Sequence, residues 1–177
     1  PISLKIRPYE DYSFILNSLD GEIDGLTLSN AYVGLVPPKI EGAQYSPFER
    51  REEWAPCGVY GPFERLLTFY QLYKYHDIAK EKNLSIACVG GIVSVKEAIQ
   101  SILLGADVVQ LSSAIAWRGI HFFQKSNMIL ANYLTTHNFD NINFIKGSAL
   151  PYIKSNVDEL NNSSTKRKMK ERMSIRG

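Results

Sequence analysis

Four short runs of apolar and β-branched residues recur along the chain, at positions 2–6, 26–29, 85–89 and 108–111. Each run is followed by a segment in which apolar residues recur every three or four positions, the spacing of one face of an α-helix. A strand followed by a helix, repeated four times, predicts a parallel sheet covered by helices.

The predicted helices are defined by their apolar positions, and the third helix has the clearest ends. Ser94-Val95-Lys96-Glu97 is a capping-box pattern, and Gly105 suits the left-handed residue that ends a helix. The apolar faces are Tyr12, Ile15, Leu16 and Leu19; Phe63, Leu66, Leu67 and Tyr70; Val95, Ala98, Ile99, Ile102 and Leu103; and, within 119–134, Phe122, Ile129, Leu130 and Tyr133.

Two architectures accept this order of elements: an open doubly wound sheet, and part of an eight-stranded βα barrel. Four βα units cannot close a barrel alone, because the usual barrel needs ~250 residues. A long proline-rich insertion runs from Ala31 to Pro62 and carries Tyr45, Phe48 and Trp54. Insertions of this length usually cover an active site or form an interface.

Composition narrows the class of protein. The chain has 177 residues, of which 45% are hydrophobic and 21% charged, with a net charge of +2. These values exclude general disorder and give the whole molecule no bias toward nucleic acid. No run approaches the ~20 apolar residues of a membrane span. With only Cys57 and Cys88, a reduced pair is expected, which predicts a cytoplasmic protein.

The charge is concentrated at the end of the chain. We expect a domain over 1–153 and a basic, polar tail over 154–177 that is solvated or depends on a partner. A nucleic-acid-binding arm is the less favoured alternative. Residues 165–177 of the tail contain the basic residues Lys166, Arg167, Lys168, Lys170, Arg172 and Arg176 and the single acid Glu171.

Two loops carry the residues best suited to chemistry. Val89-Gly90-Gly91 follows the third predicted strand, and Ser112-Ser113 follows the fourth. Paired glycines let backbone amides approach a phosphate, which the N-terminus of the next helix also attracts. A simple tight turn is the alternative for the glycine pair. Two such loops on consecutive strands together predict a phosphate site.

The other chemical candidates are weaker. Cys88 ends a buried strand and is expected to be inert, whereas Cys57 in the insertion could be reactive. His76, His121 and His137 show no metal-ligand spacing, so surface or structural roles are expected.

The sequence of these loops resembles the C-terminal phosphate-binding region of dihydroorotate dehydrogenases, an FMN-dependent family with a TIM (βα)8-barrel fold. The resemblance runs in order over roughly 1–153 and implies that the chain is the C-terminal half of the barrel. The segments that carry it are 3–8 (SLKIRP), 24–30 (DGLTLSN), 57–62 (CGVYGP), 89–98 (VGGIVSVKEA), 104–111 (LGADVVQL) and 143–150 (NFIKGSAL), the last resembling the family's terminal helix motif.

The resemblance also implies roles for individual residues. Lys5 would contact the flavin, and Asn30 and Ala31 would face a pyrimidine such as orotate. The residues expected to bind FMN are Lys5, Ser29, Tyr60, Gly61, Val89, Gly90, Gly91, Ser112 and Ser113. Because Lys5 is the one charge in an apolar strand, we expect its ammonium to be buried and compensated, either by the flavin or by a neighbouring carboxylate.

Departures from the family pattern concentrate on the substrate side. Ser112-Ser113 replaces a glycine-threonine pair, and Cys57, Tyr60 and Ala31 replace other residues, so that the pyrimidine side is crowded more than the phosphate side. The family's catalytic base lies in the first half of the barrel, so this chain is expected to hold no catalytic residue. The missing half would come from the same polypeptide or from another subunit.

Two functions remain open. In the first, the chain is half of an FMN-dependent oxidoreductase that acts on dihydroorotate or a related ring, as a homo- or hetero-oligomer. In the second, it is a non-catalytic interaction or scaffold partner. In either case a half-barrel would leave two sheet edges open and turn apolar residues toward water. The residues that we expect on the strands of that inner face are Leu4, Ile6, Leu26, Leu28, Ile86, Val108 and Gln110.

Overall fold

The computed structural model describes residues 1–8, 10–40 and 55–154 of the protein. Within these ranges the chain forms one four-stranded parallel sheet and one separate two-stranded antiparallel ribbon. In chain order the strands are β1 (Ser3–Lys5), β2 (Gly25–Leu28), β3 (Tyr32–Gly34), β4 (Cys57–Val59), β5 (Ser85–Cys88) and β6 (Val108–Val109).

Helices follow the strands of the parallel sheet, so the predicted α/β class is confirmed. Short 3₁₀ turns occupy Pro62–Glu64, Ile142–Phe144 and Leu150–Tyr152. The α-helices are α1 (Ser13–Ser18), α2 (Arg65–Glu81), α3 (Val95–Leu103), α4 (Ser113–Arg118) and α5 (His121–Thr136).

The strands of the parallel sheet lie in the order β1-β2-β5-β6, which is also their order along the chain. A doubly wound sheet reverses its strand order at a switch point, where its ligand binds. The described part of the sheet contains no such reversal. Its order is compatible with consecutive units of a βα barrel.

One face of the sheet is apolar and packs beneath the helices. The register pairs Leu4 with Leu26, Leu26 with Ile86, and Leu28 with Cys88, so these side chains share a face. They join Leu72, Tyr75 and Ala79 of α2 in the main core. The expectation that the apolar strand residues would face water is therefore wrong for Leu4, Ile6, Leu26, Leu28 and Ile86, because the helix-covered face takes them.

The opposite face of the sheet is polar or open. Alternation along each strand places Lys5, Thr27, Ser29 and Gln110 on it. Val108 shares this face and is 54% exposed, as expected. The face that a closed barrel would enclose is thus mostly polar in this chain.

A second, smaller core joins α3, α4 and α5 through Val95, Ile99, Ala114 and Phe122. The predicted helix over 119–134 is displaced, because Gly119 has a φ of +75° and separates α4 from α5. Leu130 and Tyr133 pack on this core as expected. Ile129 is 40% exposed, so its place on the buried face is wrong.

The long insertion predicted from the sequence contains a pair of strands. Its described ends pair as the β3–β4 ribbon, while Tyr45, Phe48 and Trp54 lie outside the described residues. The predicted basic tail likewise lies outside them beyond Lys154. No helix in the described ranges is long and apolar enough to cross a membrane.

The segment 143–150 forms 3₁₀ turns rather than the helix that the family resemblance implies. Gly147 has a φ of +72°, and Pro151 lies in the first positions of the last turn. Both features interrupt an α-helix. The segment is held by hydrogen bonds from the N–H groups of Gly147 and Ala149 to the carbonyls of Ile102 and Leu103, at 3.0 Å each.

Candidate functional site

A cavity of about 200 Å³ lies at the carboxyl edge of the parallel sheet. It brings together every residue that the sequence predicted for the site except Gly61. Its walls are Lys5, Ser29, Asn30, Ala31, Tyr60, Glu64, Val89, Gly90, Gly91, Ile92, Gln110, Ser112 and Ser113. A larger cavity of about 740 Å³ lies at the opposite edge of the sheet, beside Ser85 and Asp107, and contains none of the predicted residues.

The position of each wall residue follows from its strand. Lys5 is the last residue of β1, Ser29 and Val89 directly follow β2 and β5, and Gln110 directly follows β6. Carboxyl ends of neighbouring parallel strands meet at one edge, which is where α/β proteins bind ligands. The structure thus gathers residues that are separated by more than one hundred positions in the sequence.

Lys5 differs from its prediction. Its side chain is exposed, and it forms no ion pair with any described residue. The reason is the position of β1, which has a neighbouring strand on one side only in the described sheet. Lys5 is therefore a solvated ammonium at the wall of the cavity, and the expectation of a buried charge is wrong.

Sequence reasoning missed three wall residues, of which Glu64 is the most consequential. Ile92 and Gln110 could have been found, since they adjoin the predicted loops. Glu64 is only 3% exposed although it carries a carboxylate. The signal for it was its place three residues after Gly61, in the first turn of a helical segment, where acidic residues accept backbone N–H bonds.

The Glu64 carboxylate is held by backbone N–H groups from three separate segments. The N–H of Gly61 donates to its Oε2 at 3.2 Å, and the N–H groups of Gly91 and Tyr32 also stabilise the carboxylate. Burial raises the pKa of Glu64 above its ordinary value, and these three donors oppose that rise.

The two glycines after β5 are required by the start of α2. Gly91 has a φ of +70°, and a Cβ there would lie 2.3 Å from the backbone nitrogen of Arg65. A Cβ on Gly90 would lie 2.6 Å from Oγ1 of Thr68. The sequence assigned these glycines to the approach of a phosphate. The structure gives them a packing reason that applies with or without a ligand.

The N-terminus of α3 is occupied by the chain itself. Ser94 Oγ accepts the N–H of Glu97, which confirms the predicted capping box. The Glu97 carboxylate accepts the N–H groups of Val93 and Ser94 at 2.7 Å each and forms an ion pair with Arg65. Glu97 thus takes two N–H groups that precede the first turn of α3, and the expectation that this N-terminus attracts a phosphate stays a prediction.

Unused donors remain in the segments that follow β5 and β6. The backbone N–H groups of Ile92, Ser113 and Ala114 donate to no described residue, although all three residues are buried. Buried N–H groups without a partner are rare in folded proteins. These donors, with the Ser112 and Ser113 hydroxyls beside them, could hold an anion or another acceptor.

The cysteines and histidines contribute nothing to this cavity. Burial raises the pKa of Cys88 to about 11, and Cys57 is exposed on the ribbon. His76 contacts Asp77, and His137 caps the last turn of α5. The described ranges contain no group of three or more side chains suited to a metal ion.

The fold and the site define an α/β protein of parallel βα units, with a polar cavity at the carboxyl edge of its sheet. No protein-family model matches the chain. Curated relatives do match it. Three of them, from Archaeoglobus fulgidus, Sulfolobus acidocaldarius and Pyrococcus horikoshii, are named dihydroorotate dehydrogenase B (NAD(+)), catalytic subunit. The protein from Archaeoglobus fulgidus is 30% identical over 131 residues, covering 73% of this chain and 41% of its own length.

Two further relatives carry the same name. The protein from Sulfolobus acidocaldarius is 26% identical over 135 residues, or 76% of this chain and 43% of its own length. The protein from Pyrococcus horikoshii is 30% identical over 93 residues, or 52% of this chain and 30% of its own length. The chain is therefore related to the dihydroorotate dehydrogenase family, and it spans less than half the length of these relatives.

Proposed function

We propose that the chain is the C-terminal half of an FMN-dependent, dihydroorotate dehydrogenase-like βα barrel. The observation that carries this proposal is the cavity itself. Residues expected to bind cofactor and substrate, drawn from four strand ends and the β4 segment, line one space of about 200 Å³. The sequential strand order and the family relationship support the same assignment.

The residues on the β6 side fit the phosphate of FMN. The unpaired N–H groups of the buried residues Ser113 and Ala114 and the two serine hydroxyls offer donors of the kind that phosphates accept. When bound, FMN would supply the acceptor for a hydride from the substrate. Lys5, at the far wall of the cavity, would bring a positive charge toward the ring system.

On the substrate side, the chain's own residues would position a small ring. Asn30 and Ala31 line the cavity next to the buried Ser29, whose N–H donates to the carbonyl of Val89 at 2.8 Å. The Asn30 Oδ1 accepts the N–H of Ala31 at 2.9 Å, which leaves its amide NH₂ able to donate to a carbonyl of an orotate-like ring. Tyr60 is 65% exposed at the mouth of this space.

The remaining parts of the enzyme would come from outside these residues. We assign no catalytic base to this chain, and the proposed second half of the barrel would provide it. The curated relatives are named as catalytic subunits of an NAD(+) enzyme. By that likeness the chain would work with a separate subunit that passes electrons to NAD(+).

The test is to purify the full 177-residue chain and identify any bound flavin. We expect a yellow protein that releases FMN on denaturation, and bleaching of its flavin absorbance by dihydroorotate only after the complementary half of a relative's barrel is added. A colourless protein that does not take up added FMN, alone or with that half, would contradict the proposal.

A second candidate function, a non-catalytic half-barrel that binds a partner, is favoured by one observation. The N–H of Gly91, which the sequence assigned to a phosphate, already stabilises the chain's own Glu64 carboxylate. Under this alternative the cavity would bind no flavin, and the chain would associate with its partner equally well without one. Flavin content in the purified complex separates the two functions.

A further inference from the structure

Three segments of the chain point backbone N–H groups at one place beside the cavity. Gly61 precedes the 3₁₀ turn before α2, Gly91 follows β5, and Tyr32 begins β3. Their N–H groups converge on the Glu64 carboxylate. We refer to these three N–H groups as the nest, because, like the successive amides of a backbone nest, their partial positive charges favour an anion.

No side-chain cation neutralises Glu64 among the described residues. Its neighbour Arg65 is directed to Glu97, and Glu64 itself forms no ion pair there. Glu64 as a residue is 3% exposed, so water stabilises its carboxylate little. The nest is therefore the main stabilisation of this charge.

A further polar group beside the nest lacks a partner. Thr68, one helical turn after Glu64, is fully buried, and its Oγ1 bonds to no described residue. It lies next to Gly90, where an added Cβ would come within 2.6 Å of Thr68 Oγ1 and 3.6 Å of Glu64 Oε2. An unpaired hydroxyl and a buried carboxylate thus both lie beside Gly90, which lines the cavity.

We propose that Glu64 is a built-in anion that fills the nest of Gly61, Gly91 and Tyr32 and so weakens the binding of phosphate-bearing ligands in the adjacent cavity. The inference rests on the proposed function, since it concerns the ligand of the same cavity. It makes Glu64 a residue that determines specificity: the ionised carboxylate takes the nest donors and repels a second anion. The phosphate of a flavin would then have only the donors on the β6 side, and the ring and sugar would supply most of the affinity.

The first test compares FMN with riboflavin, which has the same ring but lacks the phosphate. In the 177-residue protein at neutral pH, FMN should bind no more than about tenfold tighter than riboflavin, measured by quenching of flavin fluorescence. An FMN affinity more than about a hundredfold above that for riboflavin would overturn the proposal without any variant.

The second test removes the charge. Glu64→Gln keeps an oxygen that accepts the nest N–H groups but is neutral, and it should raise the affinity for FMN about tenfold or more and leave that for riboflavin unchanged. Glu64→Ala, which empties the nest, should raise the affinity for FMN at least as much and should also bind inorganic phosphate. Glu81→Gln removes the same charge from the exposed end of α2 and should change neither affinity.

The outcomes separate this inference from the proposed function. Flavin binding that is equal in the parent and Glu64→Gln would overturn the inference and leave an FMN enzyme standing. FMN or phosphate binding that appears only in the Glu64 variants would support the inference and remove FMN as the natural ligand. If no variant binds FMN or inorganic phosphate, while circular dichroism shows each folded, both are overturned.

Discussion

Gly91 is the residue at which packing and ligand chemistry compete most directly. Its φ of +70° lies in the left-handed region, and the space where a Cβ would stand is taken by the backbone of Arg65. A substitution there strains the main chain and also pushes α2 away from the β5 loop. Loss of flavin in a Gly91→Val variant would therefore report misfolding as readily as a lost phosphate contact.

We predict that Gly91→Ala lowers the free energy of unfolding by more than about 3 kcal/mol, because steric overlap adds to the cost of the left-handed conformation. Gly21 is the matched control. Its φ is +76°, but nothing lies within 4 Å of an added Cβ. Gly21→Ala should therefore cost only about 1 kcal/mol, the conformational part alone. Urea unfolding measures both, and equal losses would refute the packing role of Gly91.

Single residues also show which parts of the site could be read from the sequence. Gly90, Gly91, Ser112 and Ser113 were found because residue type and position after a strand are both visible in one dimension. The exposure of the Lys5 side chain could not be predicted, since it depends on which strands flank β1. The nest around Glu64 was hidden for a related reason: its donors, including Gly61, are backbone atoms that only the folded chain brings together.

At the scale of elements, the starts of α2 and α3 are joined by one ion pair. Arg65 opens α2, and Glu97 lies in the first turn of α3. The Glu97 side chain is 11% exposed and the Arg65 side chain 32% exposed. Glu97 also accepts two backbone N–H groups, whereas the Arg65 side chain hydrogen-bonds to no other described residue.

This asymmetry predicts unequal losses. Glu97→Ala should lower the free energy of unfolding by about 3 kcal/mol, because it removes the pair and leaves buried donors unsatisfied. Arg65→Ala should cost about 1 kcal/mol, and close to nothing in the Glu97→Ala background. The exposed Arg7–Glu10 pair is the control, since Arg7→Ala should change stability by no more than about 0.5 kcal/mol. Additive losses at Arg65 and Glu97 would show that the pair does not couple the helices.

Elements with a strong local signal were predictable, and elements fixed by distant contacts were not. The strands of the parallel sheet and α3 follow from apolar runs and a capping box. The β3–β4 ribbon joins segments more than twenty residues apart, so no local pattern indicates it. The 3₁₀ turns near Gly147 form where the chain meets the end of α3, a contact that the segment's own sequence does not specify.

For the molecule as a whole, the sheet is well covered on one face and open at its sides. The helices cover the apolar face, while the face with Lys5, Thr27 and Gln110 is polar. Within the described residues β1 and β6 each have a neighbouring strand on one side only. Because this face is polar, it favours association less than an apolar face would, but the unpaired strand edges remain a template for association.

We therefore predict that the 177-residue protein sediments as an oligomer, because pairing at β1 or β6 satisfies backbone groups that a monomer leaves to water. Lys5 limits pairing at the edge of β1, since a charged residue on an edge strand opposes it. Lys5→Val should shift the protein to larger species in sedimentation velocity. The matched control, Lys39→Val, replaces an exposed lysine outside the sheet and should leave the distribution unchanged. A cooperative, flavin-free monomer that is indifferent to Lys5→Val would contradict the half-barrel, because such a chain needs no second half to complete its sheet.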